Sequence, residues 1–393
     1  MKGHVYSKNT KDKHSHYIIL ETGKDDKGKR KQKWIPFHGT KREAERELVR
    51  LLNDLHNGLL TDPAKMTVAD LLNRWLKDCA KQTVSPTTYQ RYAGITRDHL
   101  KPAFGHIPLA KLRPLQLQKA YTDWQQEGAK KKGKGGLSAR TVLQHHRILH
   151  EALDQAVKWQ LIPRNPADAV ETPKPSRKEM NHLDEEGTIK LLNAAEGDRL
   201  YIPVLLAVTT GMRRGEVLGL RWSDTDFDDG IAYVRQSLMQ TKDTIAFKAP
   251  KTAGSARAVP LLRMTIAALK RHRRAQAEEK LLFGPDYADN DLVCALPDGA
   301  PWPPDALSSS FRYLVKRAGM PGVRFHDLRH SHATQLMKEG VNPKIVSERL
   351  GHSSIAITLD LYSHVSRGLQ QEAVDKLDAS LQKAMDKPTQ KSG

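Results

Sequence analysis

Apolar residues alternate with polar ones near the start of the chain and then recur every three or four residues over most of its length. Residues 17–20 and 32–38 have the composition of two strands separated by a polar turn. Residues 41–56 carry leucines on one side of a helical pattern, and Thr40 is a suitable N-cap. The first 60 residues therefore predict a small sheet that packs on one helix.

A purely helical pattern begins near Met66. Thr67 and Ser85 are typical N-cap residues, and Pro86 occupies the favoured first position of a helix. Residues 114–126 and 138–160 continue the helical periodicity, so four helices are expected. Residues 130–136, rich in lysine and glycine, predict a mobile loop, and residues 171–178, with two prolines, predict an extended linker.

The rest of the chain mixes both patterns. Helices are predicted at 185–195, 200–208, 261–280, 306–318, 343–350 and 369–381, strands at 231–235, 244–248 and 256–259, and disorder at 387–393. The predicted fold class is mainly α with small β-sheets (α+β). Three domains are expected, at 1–60, 66–172 and 181–393.

The net charge of the chain indicates which class of partner it binds. The chain of 393 residues has a formal net charge of +19 and a pI of about 9.7, which favours a nucleic acid partner. An anionic membrane is the weaker alternative, because the N-terminus is polar and the apolar stretch 201–208 is too short to span a bilayer. Two distant cysteines favour neither a disulfide framework nor a cysteine zinc site. A cytoplasmic, nucleoid-associated protein is expected.

Five short segments in the second half of the chain carry candidate chemistry. They are Thr210-Gly211-Met212-Arg213-Arg214-Gly215-Glu216, Pro250-Lys251-Thr252, His326-Asp327-Leu328-Arg329-His330, Leu350-Gly351-His352 and Leu361-Tyr362-Ser363-His364. Arginine, lysine and histidine can surround one phosphate, and a tyrosine hydroxyl can attack it. The order and spacing of these segments resemble the tyrosine recombinase family, most closely the integrases of phages and conjugative elements.

The resemblance implies a role for each residue. Arg213 and Arg329 would be the catalytic arginines, His326 and His352 would contact the scissile phosphate, and Tyr362 would be the nucleophile. Lys251, in a turn between two predicted strands, would protonate the leaving 5′ oxygen. Glu216 would orient Arg213, and His330 would be a buried structural histidine. No metal and no cofactor is implied.

Other interpretations of the same residues stay open. His326 and His330 have the two-histidine spacing of a helical zinc site. Lys248 lies three residues before Lys251 and competes for its role. Residues 332–352 also fit a helix-turn-helix with Gly340 in the turn.

The resemblance extends to the first two domains. They would hold arm sites and core sites of double-stranded DNA, with a C-terminal helix packing on a neighbouring subunit or on its own domain. The DNA-contacting residues would include Lys29, Arg30, Lys31, Lys33, Lys130, Lys131, Lys132 and Lys134. The family acts as a homotetramer through a Holliday junction, with a DNA-bending host factor and an excision factor as further expected partners.

The function implied is integration and excision of a mobile element. A chromosome-dimer resolving recombinase of the same family is an alternative, although that class normally lacks a domain like residues 1–60. A type IB topoisomerase shares the chemistry without pairing two sites. A non-catalytic DNA-binding regulator is a third alternative, against which the complete set of six catalytic residues argues.

Overall fold

The computed structural model describes residues 3–8, 15–24, 30–56, 66–127, 135–176, 182–242, 244–249, 256–362, 374–375 and 377–382. The chain divides into two compact units, residues 1–176 and 177–393. The finer division into three domains stays a prediction. Within the described ranges, no helix combines the length and the apolar character needed to cross a bilayer.

The first unit opens with a three-stranded antiparallel sheet in the order β1-β2-β3. The strands are β1 (Gly3–Lys8), β2 (Ser15–Lys24) and β3 (Arg30–His38), and helix α1 (Lys41–His56) follows them. Ile18, Leu20 and Ala44 form the buried cluster between sheet and helix. The sequence predicted β2, β3 and α1 but missed β1, because Val5 is the only strongly apolar aliphatic residue in that strand.

The rest of the described part of the first unit is mainly helical. Its α-helices are α2 (Val68–Trp75), α3 (Lys81–Thr83), α4 (Pro86–Ile95), α5 (Lys101–Phe104), α6 (Pro114–Glu127) and α7 (Ala139–Lys158). Single π-helical turns join α2 to α3 and α4 to α5. The predicted caps are confirmed, since the side chains of Thr67 and Ser85 accept hydrogen bonds from the backbone N–H groups of Asp70 and Thr88.

The second unit combines helices with two small antiparallel sheets. Its first part contains α8 (Glu185–Ala195), α9 (Tyr201–Thr210), α10 (Arg214–Gly219), β4 (Thr225–Asp226), β5 (Ile231–Val234), β6 (Ser237–Gln240), β7 (Ile245–Lys248) and β8 (Arg257–Pro260). The sheet orders are β4-β5-β8 and β6-β7. The two predicted strands on either side of Lys251, β7 and β8, thus pair with different partners rather than with each other.

Five further helices complete the described part of this unit. They are α11 (Arg263–Phe283), α12 (Pro304–Arg317), α13 (Phe325–Lys338), α14 (Pro343–Leu350) and α15 (Ile355–Tyr362). Helix α9 is buried along most of its length and packs against α13. Helices α13 and α14 meet at Gly340 and share a small apolar cluster, which accounts for the helix-turn-helix pattern in the sequence. Of the predicted C-terminal helix, residues 374–375 and 377–382 are described and helical, and Leu377 and Leu381 are exposed.

The predicted fold class, mainly α with small sheets, is confirmed. The loop at 130–134 and the tail at 387–393 lie outside the described residues.

Candidate active site

Arg213 stands at the start of α10 and is fixed by one carboxylate. Helix α9 ends at Gly211, whose left-handed φ of +67° turns the chain toward α10. Glu216 Oε2 accepts a hydrogen bond from the backbone N–H of Arg213 at 2.9 Å, and Oε1 accepts one from Arg213 Nη1 at 2.7 Å. The same side chain therefore caps the helix and orients the guanidinium.

Glu216 also binds a second arginine, which the sequence interpretation missed. Arg257 Nη2 donates to Glu216 Oε2 at 2.8 Å, and both side chains are only 7% exposed. Burial alone would raise the pKa of Glu216, but the hydrogen bond and charge of Arg257, with those of Arg213, lower it below its ordinary value. The carboxylate is therefore ionised. Arg257 was missed because a strand residue forty-one positions from its partner leaves no local signal.

The C-terminal end of α14 holds three arginines at once. The contacts are Arg257 Nε to the Arg349 carbonyl at 2.6 Å, Arg329 Nη2 to the Leu350 carbonyl at 2.7 Å, and Arg213 Nη2 to the Gly351 carbonyl at 2.8 Å. The last carbonyls of a helix have no partner within it and form its negative end. Three consecutive peptide oxygens thus orient three cations without neutralising them.

Arg329 is the most deeply placed of these arginines. It is 3% exposed, and its second anchor is the carbonyl of Gly211, which accepts from Nη1 at 2.8 Å. Burial, together with the positive charge of Arg213, lowers the pKa of Arg329 to about 9, so the group is still protonated at neutral pH. Its remaining N–H donors can serve an anion such as a phosphate oxygen.

His326 and His330 lie one turn apart on α13. Asp327 starts this helix by accepting hydrogen bonds from the backbone N–H and the guanidinium of Arg324. The rings of His326 and His330 are perpendicular, with centroids 4.9 Å apart. His326 is an exposed residue. The protein that surrounds its ring, with His330 and Arg329, lowers its pKa. Burial likewise lowers the pKa of His330.

The zinc interpretation of these histidines lacks a third ligand within the described ranges. A group of three candidate ligands occurs instead in the first unit, at His150, Asp154 and Asp168. There Nε2 of His150 lies 2.7 Å from Asp168 and Nδ1 lies 3.1 Å from Asp154. Because opposite edges of the ring face the two carboxylates, the three side chains form a network of short polar contacts around His150.

His352 follows directly after the helix end that holds the arginines. Its Nδ1 lies 2.8 Å from the hydroxyl of Thr358, which is fully buried. Burial, reinforced by Arg329 and Arg213, lowers the pKa of His352 to about 4. A neutral imidazole with one nitrogen fixed by Thr358 leaves Nε2 for a ligand.

Several predicted site residues are placed only in part. Tyr362 is the last residue of α15, and its side chain lies outside the described residues, as does the whole of Lys251. Lys248 ends β7. Among the predicted DNA-contacting residues, Arg30, Lys31 and Lys33 belong to β3 without described side chains, whereas Lys29, Lys130, Lys131, Lys132 and Lys134 lie outside the described residues.

A basic cavity adjoins His326. It has a volume of about 530 Å³, and its lining includes Arg214, Arg312 and Arg324 but no acidic side chain. Arg214 Nη1 donates to the Pro304 carbonyl at 2.9 Å, so this arginine is held apart from the Glu216 cluster. Arg214 also contacts Asp305 and Arg324 contacts Asp327, whereas Arg312 makes no ion pair with any described residue.

Comparison with known proteins finds relatives that match nearly the whole chain. Residues 181–368 match the model of the phage integrase family, and residues 67–125 match the N-terminal SAM-like domain of phage integrases. A tyrosine recombinase XerC-like protein of Caldanaerobacter subterraneus is 32% identical over 95% of this chain and 97% of its own length. The ICEBs1 integrase of Bacillus subtilis is 27% identical over 87% of this chain and 91% of its own.

Two solved structures share the fold. A Tn1549 transposon integrase in complex with transposon right end DNA is 22% identical, covers 80% of this chain and 100% of its own, and has a TM-score of 0.68. A lambda integrase dimer bound to a core site is 18% identical, covers 91% of this chain and 93% of its own, and has a TM-score of 0.56. With the family match and the relative at 32% identity, these findings confirm the resemblance seen in the sequence: the chain belongs to the phage integrase family of tyrosine recombinases.

Proposed function

We propose that this chain is a site-specific DNA integrase whose catalytic residues are Arg213, Lys251, His326, Arg329, His352 and Tyr362. The observation that carries the proposal is the pair of arginines anchored on adjacent carbonyls at the end of α14, beside His352. Phosphodiester cleavage develops negative charge on the phosphoryl oxygens, and pre-oriented arginines stabilise that charge at no further cost in reorganisation.

In the proposed reaction, the Tyr362 hydroxyl oxygen attacks the scissile phosphorus and its proton passes to a base. A phenol has a pKa near 10, so this proton must leave as the O–P bond forms. Neutral His326 or His352 can accept it. The P–O bond to the 5′ oxygen breaks, and Lys251 supplies the proton that this oxygen needs.

The product would be a 3′-phosphotyrosine linkage and a free 5′ hydroxyl. Because the linkage conserves the energy of the phosphodiester, a 5′ hydroxyl of another strand can reverse the step without ATP, and no metal is required. Two rounds of exchange would produce and resolve a Holliday junction. The lambda integrase tetramer bound to a Holliday junction supports a tetrameric assembly for this chain.

The substrate would be double-stranded DNA of a mobile element and its target. Core sites would bind residues 66–172 and 181–393, and arm sites would bind residues 1–60 through basic side chains of the first sheet and its turn. The integrases of ICEBs1 and Tn1549 among the similar proteins support a conjugative element as the source. A DNA-bending host factor and an excision factor would set the direction, and the protein would be nucleoid-associated in the cytoplasm.

A second candidate function is resolution of chromosome dimers, which the XerC-like relative at 32% identity favours. Recombination in vitro distinguishes the two. An integrase would require arm-type sequences beside the core site, whereas a resolving enzyme would recombine two short core sites alone at the same rate.

The decisive experiment is a covalent-trapping assay on nicked DNA that carries the element's end. Wild type is expected to give a covalent protein–DNA band on a denaturing gel, and Tyr362→Phe should bind the DNA without forming it. Tyr313→Phe is the matched control, because Tyr313 is 80% exposed in the same unit and has no assigned role. If wild type binds specifically yet forms no adduct, the chain is a DNA-binding regulator.

A further inference from the structure

His332 is a third histidine of α13, and both of its ring nitrogens are engaged. The residue is 7% exposed. Nδ1 lies 2.9 Å from the carbonyl of Val208, and Nε2 lies 3.0 Å from Nε of Arg349. A carbonyl can only accept and a guanidinium can only donate. The ring must therefore be neutral, with its hydrogen on Nδ1 and the lone pair of Nε2 directed at Arg349.

Arg349 extends this contact to two other elements. Its Nη2 donates to the carbonyl of Thr209, near the end of α9, at 3.0 Å, and to that of Pro260, at the end of β8, at 3.1 Å. His332 thus fixes the side chain that ties the last turn of α14 to α9 and β8. The peptide oxygens of this turn are the ones that hold the three arginines.

The ring of His332 also packs directly on Gly211. A Cβ at Gly211 would come within 2.7 Å of the His332 ring and within 2.4 Å of the side chain of Leu350. Gly211 and Leu350 are the two residues whose carbonyls accept hydrogen bonds from Arg329. The imidazole therefore packs against Gly211, one of the two acceptors of Arg329. Through its contact with Arg349 it is also connected to Leu350, the other acceptor, which directly follows Arg349 in the chain.

We propose that His332 is a positioning residue for Arg329. Its ring sets the distance between the carbonyls of Gly211 and Leu350, and the guanidinium of Arg329 is held between these two carbonyls. The inference rests on the proposed catalytic role of Arg329. It assigns His332 no contact with DNA. Its effect should therefore fall on the rate of strand cleavage and not on the affinity for DNA.

Three substitutions of His332 separate the two hydrogen bonds. His332→Phe keeps a ring against Gly211 but loses both bonds, His332→Gln can still offer an amide oxygen to Arg349, and His332→Asn can still donate to Val208. The readouts are single-turnover cleavage of nicked DNA at saturating protein, the dissociation constant for the same DNA, and Tm.

His332→Phe is expected to cleave about a hundredfold more slowly, the loss that a displacement of about 1 Å at a catalytic group produces. His332→Asn should lose a similar factor, whereas His332→Gln should recover to within about tenfold of wild type, because the lost bond to a charged group is the larger contribution. The DNA dissociation constant should change by less than about threefold in all three variants.

Ser331→Ala is the matched control. Ser331 is also buried on the same helix, and its hydroxyl accepts from the Leu183 N–H at 2.8 Å and donates to the Asp327 carbonyl at 2.9 Å, outside the His332 network. This variant should lower Tm while leaving the cleavage rate near that of wild type. If instead the rates of all four variants simply follow Tm, or if Asn and Gln are equivalent, the positioning role is wrong.

Arg329→Lys, assayed beside these variants, keeps the inference separate from the proposed function. Full cleavage by Arg329→Lys would overturn the assignment of Arg329 itself. Loss of cleavage in Arg329→Lys with wild-type rates in His332→Phe would overturn only the role of His332.

Discussion

Two sets of arginines in the second unit differ in the hydrogen-bond partners of their guanidinium groups. The inner set, Arg213, Arg257, Arg329 and Arg349, donates to main-chain carbonyls of α9, α14 and their flanking residues. The outer set, Arg271, Arg274 and Arg312, is exposed on α11 and α12, and its guanidinium groups make no hydrogen bond or ion pair with any part of the chain that the structure describes.

The difference shows how one residue type can serve two purposes. Peptide oxygens fix the direction of a guanidinium but carry no net charge, and two of the inner arginines, Arg213 and Arg257, share the single carboxylate of Glu216. The inner set therefore keeps a local surplus of positive charge at a defined position, which suits a transition state. The outer set adds to a diffuse field, which suits non-specific attraction to DNA.

The largest expected effect is on the inner set. Arg329→Lys and Arg213→Lys should each slow covalent cleavage by about 10² to 10³-fold, because a lysine cannot reproduce the planar fork that contacts both a carbonyl and the phosphate. Single-turnover cleavage of nicked DNA measures this effect. The corresponding Arg274→Lys should be indistinguishable from wild type; comparable losses in both sets would erase the distinction.

The second effect is on stability. Arg257→Gln removes one partner of a buried carboxylate and should lower the free energy of unfolding by about 3 kcal/mol, at the low end for broken buried ion pairs because Arg213 still contacts Glu216. Urea denaturation followed by circular dichroism is the measurement. Arg271→Gln should change the free energy of unfolding by less than about 0.5 kcal/mol. If Arg271→Gln were as destabilising as Arg257→Gln, burial of the ion pair would not be the reason for the loss.

Acid should lower the stability of the inner site through His332. Burial, with Arg349, lowers the pKa of His332 to about 4 in the folded protein, against about 6.5 in an unfolded chain. Between these values the unfolded chain binds a proton that the folded chain does not. The free energy of unfolding should therefore be constant above pH 6.5 and fall as the pH approaches 4, by about 1–3 kcal/mol for this group.

Denaturation curves at pH 7, 5.5 and 4.5 test this dependence. The slope should be shallower in His332→Gln, which has no group titrating at that position. An identical slope in variant and wild type would mean that other groups cause the acid loss.

The smallest effect concerns Arg312, which lines the cavity beside His326. If this cavity binds a DNA phosphate, Arg312→Gln should reduce the slope of log K against log salt by about 0.9 and leave cleavage at saturating DNA unchanged. Arg317→Gln on the same helix is the control, since its guanidinium is held by the Ala194 carbonyl at 3.0 Å. Equal salt slopes in both variants would contradict a phosphate contact in the cavity.

The sequence sufficed where the determinants are local. Caps such as Thr67 and Ser85, the helical periodicity and the order of the motifs predicted most helices, the fold class and the family. Arg213 and Glu216 could be recognised as a pair because they lie three residues apart at a helix start.

Residues whose role depends on distant partners were not predicted. Arg257 binds Glu216 from another strand, and His332 and Arg349 meet across the turn between α13 and α14. Strand β1 was missed because it forms by pairing with β2 and its own composition gives little sign of a strand. Neither motif spacing nor periodicity contains these long-range contacts.

The shared anchor at the end of α14 has a kinetic consequence. The last turn is closed by the N–H of Gly351, which donates to the Glu348 carbonyl at 2.9 Å, and by that of His352, which donates to the Ser347 carbonyl at 3.0 Å. Fraying of this one turn would remove one anchor from each of three guanidinium groups at the same time, so opening of the turn should lower the fraction of molecules with a fully ordered site. Hydrogen exchange at the amides of Gly351 and His352 therefore measures, in the absence of DNA, how often this turn opens and the arginines lose their shared anchor.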